Sequence, residues 1–292
     1  MKKILSIVLA VMMCATLFVA CGAKTEPTES ATPSESAASK TPASSEAPAS
    51  EAPAQTAALP EKLIVGLDAS FPPMGFTDQS NNIIGVDIDL AKAVSEKLGI
   101  EFEAKPIEWA AKEMELNSGK ISCIWNGLTI TPERQESMAV SRPYMSNTQV
   151  VVVMADSAIK SKADLAGKTV AAQSDSSGLA ALQKDGIYAS IKGGAAKEYA
   201  DYVTAMGDLE VGRCDAIVMD SVVANYYITQ NAKPMAILED TMAAEEYGIA
   251  AKKGNTALIE AIEGALSELA AEGKIAEISK KWFGKDDMII TY

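Results

Sequence analysis

Arg134 stands where a cation is disfavoured. In "NGLTITPERQ" (residues 126–135), Thr131-Pro132-Glu133 reads as a helix start, with Thr as N-cap, Pro at the first helical position and an acid just inside. Arg134 then falls in the first turn, where the positive end of the helix macrodipole disfavours a cation by ~0.3–1 kcal/mol. Either Glu133 or Glu136 neutralises the guanidinium, or an anion from outside the chain does; these residues alone leave the two readings level. A second group is Asp68, Asn126, Gln173 and Asp220, each of which follows directly on a predicted strand. Open α/β sheets bind ligands beyond the carboxyl ends of their strands, so these four polar side chains describe a cleft. Other chemistry is excluded. The chain has no histidine, which rules out Ser-His-Asp and Cys-His catalysis and His-based zinc sites. The glycines lack P-loop or dinucleotide spacing, and the methionines are scattered, so no cofactor or metal is expected. Asp87-x-Asp89 opens a predicted helix, and N-terminal capping with dipole complementation accounts for it.

The elements that must position these residues alternate. Strands are predicted at 62–67, 101–105, 121–125, 148–154, 168–172, 214–219 and 246–251. Amphipathic helices are predicted at 87–98, 108–118, 132–138, 161–166, 177–184, 197–211, 221–230, 255–272 and 274–282. "LNSGKISCIW" (116–125) and "LEVGRCDAIV" (209–218) share Leu-x-x-Gly-basic, with Gly119 aligned to Gly212 and Lys120 to Arg213. In both, a helical pattern stops at Gly and a buried strand begins. The simplest architecture is two α/β lobes, each with a mostly parallel sheet. Cys123 and Cys214 then sit in separate lobes as buried small hydrophobes, too far apart to bridge.

The rest of the chain reads differently. Residues 1–20 have a Met-Lys-Lys start and an apolar run ending at Cys21, the plan of a secretory signal. "LFVACG" resembles a lipoprotein lipobox, with Phe18 where a Leu is usual, and marks Cys21 for lipidation. Residues 22–60 are almost wholly Ala, Ser, Thr, Pro and Glu, a composition that cannot bury enough apolar area to order itself; a flexible coil of that length reaches roughly 35 Å. Of the net charge of −13, the signal holds +2 and the spacer −3, which leaves −12 on the body. So acidic a body argues against nucleic-acid binding.

"ASFPPMGF", "IIGVDIDLAKAVSEKLGI", "GLTITPERQ", "SRPY", "GRCDAIVMDS", "EYGIAAKKG" and "KKWFGK", in this order, resemble the solute-binding proteins of polar amino acid ABC transporters. The resemblance covers residues 62–284 and implies an α/β fold: a two-lobed, periplasmic-binding-protein-like clamp of type II, closing on its ligand, with two crossover hinge strands near 146–150 and 243–247. The implied division is 1–20 signal peptide, 21–60 lipidated Cys and spacer, 61–147 with 246–292 as lobe 1, and 148–245 as lobe 2. By position, Arg134 matches the arginine that forks onto the ligand α-carboxylate, which a lysine cannot imitate. Thr129 and the Gly127 amide match groups that complete the α-carboxylate and α-ammonium contacts. Asp220 matches the acid that binds the α-ammonium, and Ser176 and Ser177 the loop that closes over the carboxylate. Asp68, Phe71 and Trp109 match positions around the ligand side chain, bordered by Asn126 and Gln173; two aromatic faces can sandwich a flat amide or guanidinium. Asp175 departs from the pattern, standing where a Gly is usual, and Trp125 stands where a smaller aliphatic is common.

The resemblance implies a monomeric, lipid-anchored receptor on the extracytoplasmic face of a bacterial membrane. It would bind a basic, glutamine-like or cystine-like L-amino acid and pass it to an ABC permease with its ATPase subunit. An enzyme of the cyclohexadienyl dehydratase type and an amino acid sensor are the alternatives on the same fold.

Overall fold

Nine strands form one sheet in the order Lys197–Tyr199, Val170–Gln173, Ala216–Asp220, Met145–Met154, Met235–Lys252, Cys123–Thr129, Lys62–Leu67 and Glu101–Pro106, with Met138–Val140 also pairing on Met235–Lys252. The structure is a computed structural model that describes residues 59–291; the signal segment and Cys21, with nearly all of the spacer, lie outside the described residues. Lys62–Leu67 runs parallel to both neighbours, as does Val170–Gln173, so each half of the chain builds its own parallel core. The join between them is antiparallel. Met145–Met154 pairs with Met235–Lys252 from Met154 opposite Met235 to Met145 opposite Tyr247. The segments expected to cross between lobes are thus partners, with Asn147 opposite Glu245 and Gln149 opposite Ala243. Their ladder makes one sheet of what the sequence suggested as two.

The aligned glycines do the same work in each half. Helix Lys112–Asn117 is followed by Gly119 at φ 76° and helix Tyr202–Glu210 by Gly212 at φ 71°, both in the left-handed region. The Lys120 amide donates back to the Glu115 carbonyl at 3.1 Å and the Arg213 amide to that of Asp208 at 2.8 Å. Carbonyls left over at each helix end are satisfied this way before the chain enters Cys123–Thr129 or Ala216–Asp220. Cys123 and Cys214 are free and buried, and burial pushes their thiols up to about 12 and about 11.

The strand expected at 246–251 is the far end of the longer Met235–Lys252, short strands form at Ser70–Phe71, Gly75–Thr77, Ile83–Ile84 and Met138–Val140, and other elements differ as well. The helix predicted at 197–211 begins as the edge strand Lys197–Tyr199; its helical part starts only after Asp201, whose carboxylate accepts the Thr204 amide at 2.8 Å. At 108–118 the first turn is 3-10 (Trp109–Ala111), and the helix expected at 161–166 is only the 3-10 turn Lys162–Leu165. The strand predicted at 121–125 runs on to Thr129, because its far end pairs with Met235–Lys252. That pairing skips: Leu128 faces Gly248, but Ile124 already faces Ala250. Trp125, Asn126 and Gly127 therefore bulge against Ile249, a distortion that re-aims side chains beside sites.

Asp87 fills the bulge. The N-cap of helix Val86–Leu98 is Gly85, with no side-chain cap, so the capping expected of Asp87 is not its role. Its buried carboxylate instead accepts the Gly127 amide at 2.8 Å, while Asp89 accepts from Lys281 Nζ and Trp282 Nε1 at 2.6 and 2.7 Å. Burial raises Asp87 to about 7, against the lowering effect of its Tyr144 and Gly127 hydrogen bonds. A carboxyl whose folded pKa lies above its unfolded value takes stability away as pH climbs between the two, here from about 4 to about 7. Relative to the parent chain, Asp87→Asn should therefore gain on the order of 2–4 kcal/mol in urea unfolding between pH 4 and 7.5, with no further change above. A difference that stays flat with pH contradicts the assignment.

Candidate functional site

The strand ends converge on a seam between the two halves. Thr131 Oγ1 accepts the Arg134 amide at 3.2 Å and fixes the start of helix Pro132–Ser137. The guanidinium folds back, and Nη1 donates to the Thr129 carbonyl at 2.8 Å. Among the described residues, neither Glu133 nor Glu136 forms an ion pair with it. Burial draws the guanidinium pKa down, and the carboxylates that oppose the shift are Asp175, Glu245, Glu113 and Asp220, in that order. Three of these come from the second half of the chain or the joining strands. Among the described residues, of the five N–H donors of an arginine only the one on the Thr129 carbonyl is engaged.

Beside it, Thr129 Oγ1 donates to Ser177 Oγ across the seam at 2.9 Å, and Gln149 Nε2 donates to the same Ser177 oxygen at 3.1 Å. Ser176 is the N-cap of helix Ser177–Lys184: its Oγ accepts the Leu179 amide at 3.0 Å and donates to the Gln173 carbonyl at 2.8 Å. The Ser176 hydroxyl is spent inside the protein, so it holds the loop in place, while Ser177 faces the first half.

The Gly127 amide must be corrected. It points at Asp87, with Tyr144 Oη at 3.3 Å, and is not a free donor for a ligand. What Gly127 supplies is space. At φ 58°, a Cβ there would lie 2.9 Å from Phe71 Cε1 and 3.2 Å from the Tyr247 ring.

Opposite Arg134 lies an acid cluster. Asp220 ends strand Ala216–Asp220; its Oδ1 accepts from Tyr247 Oη at 2.6 Å and Asn147 Nδ2 at 2.9 Å, and its Oδ2 from Tyr202 Oη at 3.4 Å. Burial pushes its carboxyl well above the usual range, and the nearby Glu245 charge pushes the same way. Glu245, Asn147, Gln149, Tyr202 and Tyr247 escape a reading based on strand ends. The doublet Glu245-Glu246 on a predicted crossing strand was the available signal.

At the other end of the seam, Asp68 Oδ1 accepts the Ser70 amide at 2.8 Å and its Oδ2 accepts Gln173 Nε2 at 2.7 Å. Asn126 Oδ1 accepts the Asp68 amide at 2.9 Å. Burial raises the Asp68 pKa against those hydrogen bonds. Asp68, Glu108, Trp109 and Asp201 line a cavity of about 370 Å³ that has three carboxylates and no cation in its wall. Phe71 and Trp109 do not form a free pair of faces. Phe71 tilts against Tyr202 at 6.0 Å between centroids, and Lys112 Nζ sits 4.8 Å above the Trp109 ring.

Lys112 is a further residue that sequence reasoning missed. Its side chain is 1% exposed, yet its ammonium crosses the seam to the Asp175 carboxylate and carbonyl. Asp175 holds φ 56°, so the left-handed shape of the loop survives without Gly. Trp125 is buried in the first half, its ring edge-on to Tyr144 at 6.2 Å.

The sequence profile of "Bacterial extracellular solute-binding proteins, family 3" matches residues 63–285. The L-cystine-binding protein TcyJ of Escherichia coli K12 is 31% identical over 226 residues, covering 77% of this chain and 83% of TcyJ. The arginine-binding extracellular protein ArtP of Bacillus subtilis is 30% identical, covering 76% and 86%. Among solved structures, a substrate-binding protein of an ABC uptake transporter from Streptococcus pneumoniae with bound histidine superposes at TM-score 0.75 and 38% identity, covering 77% of this chain and 94% of that one.

Lys112 and Asp175 form the one ion pair described here that joins the faces of the seam, which makes their coupling measurable. Asp175→Ala leaves a buried ammonium without its carboxylate and should cost ~1–3 kcal/mol in urea unfolding. In a Lys112→Met background the same change should cost less than about 0.5 kcal/mol. Equal costs in both backgrounds mean that the pair contributes nothing.

Proposed function

The chain belongs to the bacterial extracellular solute-binding proteins, family 3, and within that family we propose that it captures a polar L-amino acid with a donor-bearing side chain, on a lipid anchor, for an ABC permease and its ATPase subunit. It is a transporter solute-binding protein and not an enzyme, so the dehydratase reading falls. One observation carries the choice of ligand. A half-buried guanidinium with no ion-pair partner among the described residues lies within electrostatic reach of Asp175, Glu245 and Asp220, and this arrangement of charge complements a zwitterion. Arg134 takes the α-carboxylate, Asp220 the α-ammonium, and Thr129 and Ser177 frame the carboxylate. The side chain enters beside Phe71 and Trp109 toward Asp68, Asn126 and Gln173. Three carboxylates around that cavity favour a cationic group, in keeping with the arginine and histidine of two proteins named above; glutamine and cystine also bring donors. The body acts as a monomer of two lobes, 61–147 with 246–292 and 148–245, that close on the ligand. Cys21 bears the lipid on the extracytoplasmic face, and residues 22–60 are the tether.

A thermal-shift screen over the common L-amino acids, ornithine and cystine tests this reading. A ligand at ~100 times its Kd adds about 2.7 kcal/mol, roughly 5–11 °C for a body of this size. Arg134→Ala and Asp220→Ala should each weaken the best ligand by a factor of roughly 30 to several thousand, because each strands a desolvated charge. Asp68→Asn should weaken a cationic ligand strongly and glutamine or cystine modestly. No shift with any amino acid would sink the proposal. Separately, Cys21→Ser should leave binding intact and free the protein from the membrane fraction; continued cofractionation contradicts the anchor.

A further inference from the structure

The ammonium side of the seam holds two carboxylates for a ligand group with one charge. Strand pairing explains how they meet. Asn147 and Gln149, two residues apart on Met145–Met154, share a face; Asp220 pairs opposite Gln149 from one side and Glu245 opposite Asn147 from the other. Both acids therefore flank the same two amides. Asn147 Nδ2 donates to Asp220 Oδ1 at 2.9 Å and to Glu245 Oε1 at 2.7 Å, and Gln149 Nε2 donates to the same Glu245 oxygen at 2.8 Å. Asn147 cannot turn its amide away, because its Oδ1 accepts from Ser221 Oγ at 3.0 Å.

Asp220 Oδ1 and Glu245 Oε1 accept from the same Asn147 nitrogen, and two carboxylates held side by side in this way raise the cost of ionising both. The groups packed around them are the hydroxyls of Tyr202 and Tyr247, the amides of Asn147 and Gln149, Ser177, and the more distant charges of Arg134 and Asp175. Burial pushes both tyrosines well above their ordinary range, so they stay neutral donors. Among the described residues no cation forms an ion pair with either acid. Burial first, and then the Glu245 charge, push the Asp220 carboxyl well above the usual range and favour its protonated form.

We propose that Asp220 and Glu245 together seat the α-ammonium of the ligand, and that the proton they share is released to solvent when the ammonium takes its place. This rests on the amino acid reading above and adds Glu245 to the site. The charges balance. The pair with one proton bears −1, and the ionised pair with an ammonium between its oxygens also bears −1, so the desolvated seat never holds two bare anions. The ammonium keeps its own three protons. Such a seat demands an unsubstituted α-amine and rejects N-acetylated analogues, which lack the charge.

Calorimetry tests this with the tightest binder among L-arginine, L-lysine, L-glutamine and L-cystine. At pH 6, the dependence of binding heat on the ionisation heat of the buffer, phosphate against bis-tris, counts the protons released. The parent chain should release between about half a proton and one, and Glu245→Gln distinctly less, since Asp220 without the neighbouring charge ionises more readily although its burial remains. As a proton leaves on binding, the affinity of the parent should rise with pH between 5 and 7, by up to about tenfold per unit, while the Glu245→Gln profile rises less steeply. Glu246→Gln, an exposed neighbour, should match the parent in both. Equal proton release by parent and Glu245→Gln, or a parent that binds tightly and releases none, overturns the proposal while leaving the amino acid reading standing. Failure of every amino acid in the screen to bind the parent removes both.

Discussion

A guanidinium held partly out of water with no carboxylate beside it sets the terms for the seam. Desolvation makes an uncompensated charge expensive, and the first turn of a helix adds a further penalty for a cation. The structure does not relieve this locally. Thr131 fixes the turn, the Thr129 carbonyl takes one N–H, and the opposing charge is supplied at a distance by Asp175, Glu245 and Asp220. An attraction of that kind grows when the two halves approach and water leaves. An anion brought to Arg134, with a cation to satisfy the acids, completes both sides together.

The joining strands make the opposition possible. Because Met145–Met154 and Met235–Lys252 pair along their length, Asn147, Gln149, Glu245 and Tyr247 are delivered to one place by register alone. Three further polar contacts among the described residues span the seam: Asp68 with Gln173, Thr129 with Ser177, and Lys112 with Asp175. The last replaces a glycine-type loop with a charged one, and its ammonium occupies a face of Trp109. The ring faces of Phe71 and Trp109 thus already have protein partners, and under the proposed function this leaves selection to the carboxylates around Asp68 more than to stacking.

Much of this was legible in the residues. The Leu-x-x-Gly-basic repeat marked two helix-to-strand turns because only glycine enters the left-handed region without penalty, and both turns form as read. Arg134 was legible because a cation at a helix start is a local contradiction. Local contradictions of this kind mark sites. What stayed hidden depends on long-range register. Nothing near Asp87 signals that a bulge at Trp125–Gly127 will turn the Gly127 amide toward it, so the capping role of Asp87, though not its place in the first helical turn, and the ligand contact of the Gly127 amide were both misplaced. Glu245 pairs with Asp220 only through Asn147, a relation among three strands that no spacing along the chain encodes. Lys112 reads as one more exposed helix lysine until the opposite half covers it.

The most direct test of the account is a crystal structure of residues 61–292 with the best amino acid from the screen. The account predicts the ligand carboxylate in two parallel hydrogen bonds of about 2.8 Å to Arg134, with the Thr129 carbonyl contact retained and the α-ammonium at Asp220. A guanidinium turned to Glu133 or Glu136, with the ligand bound elsewhere, would contradict it.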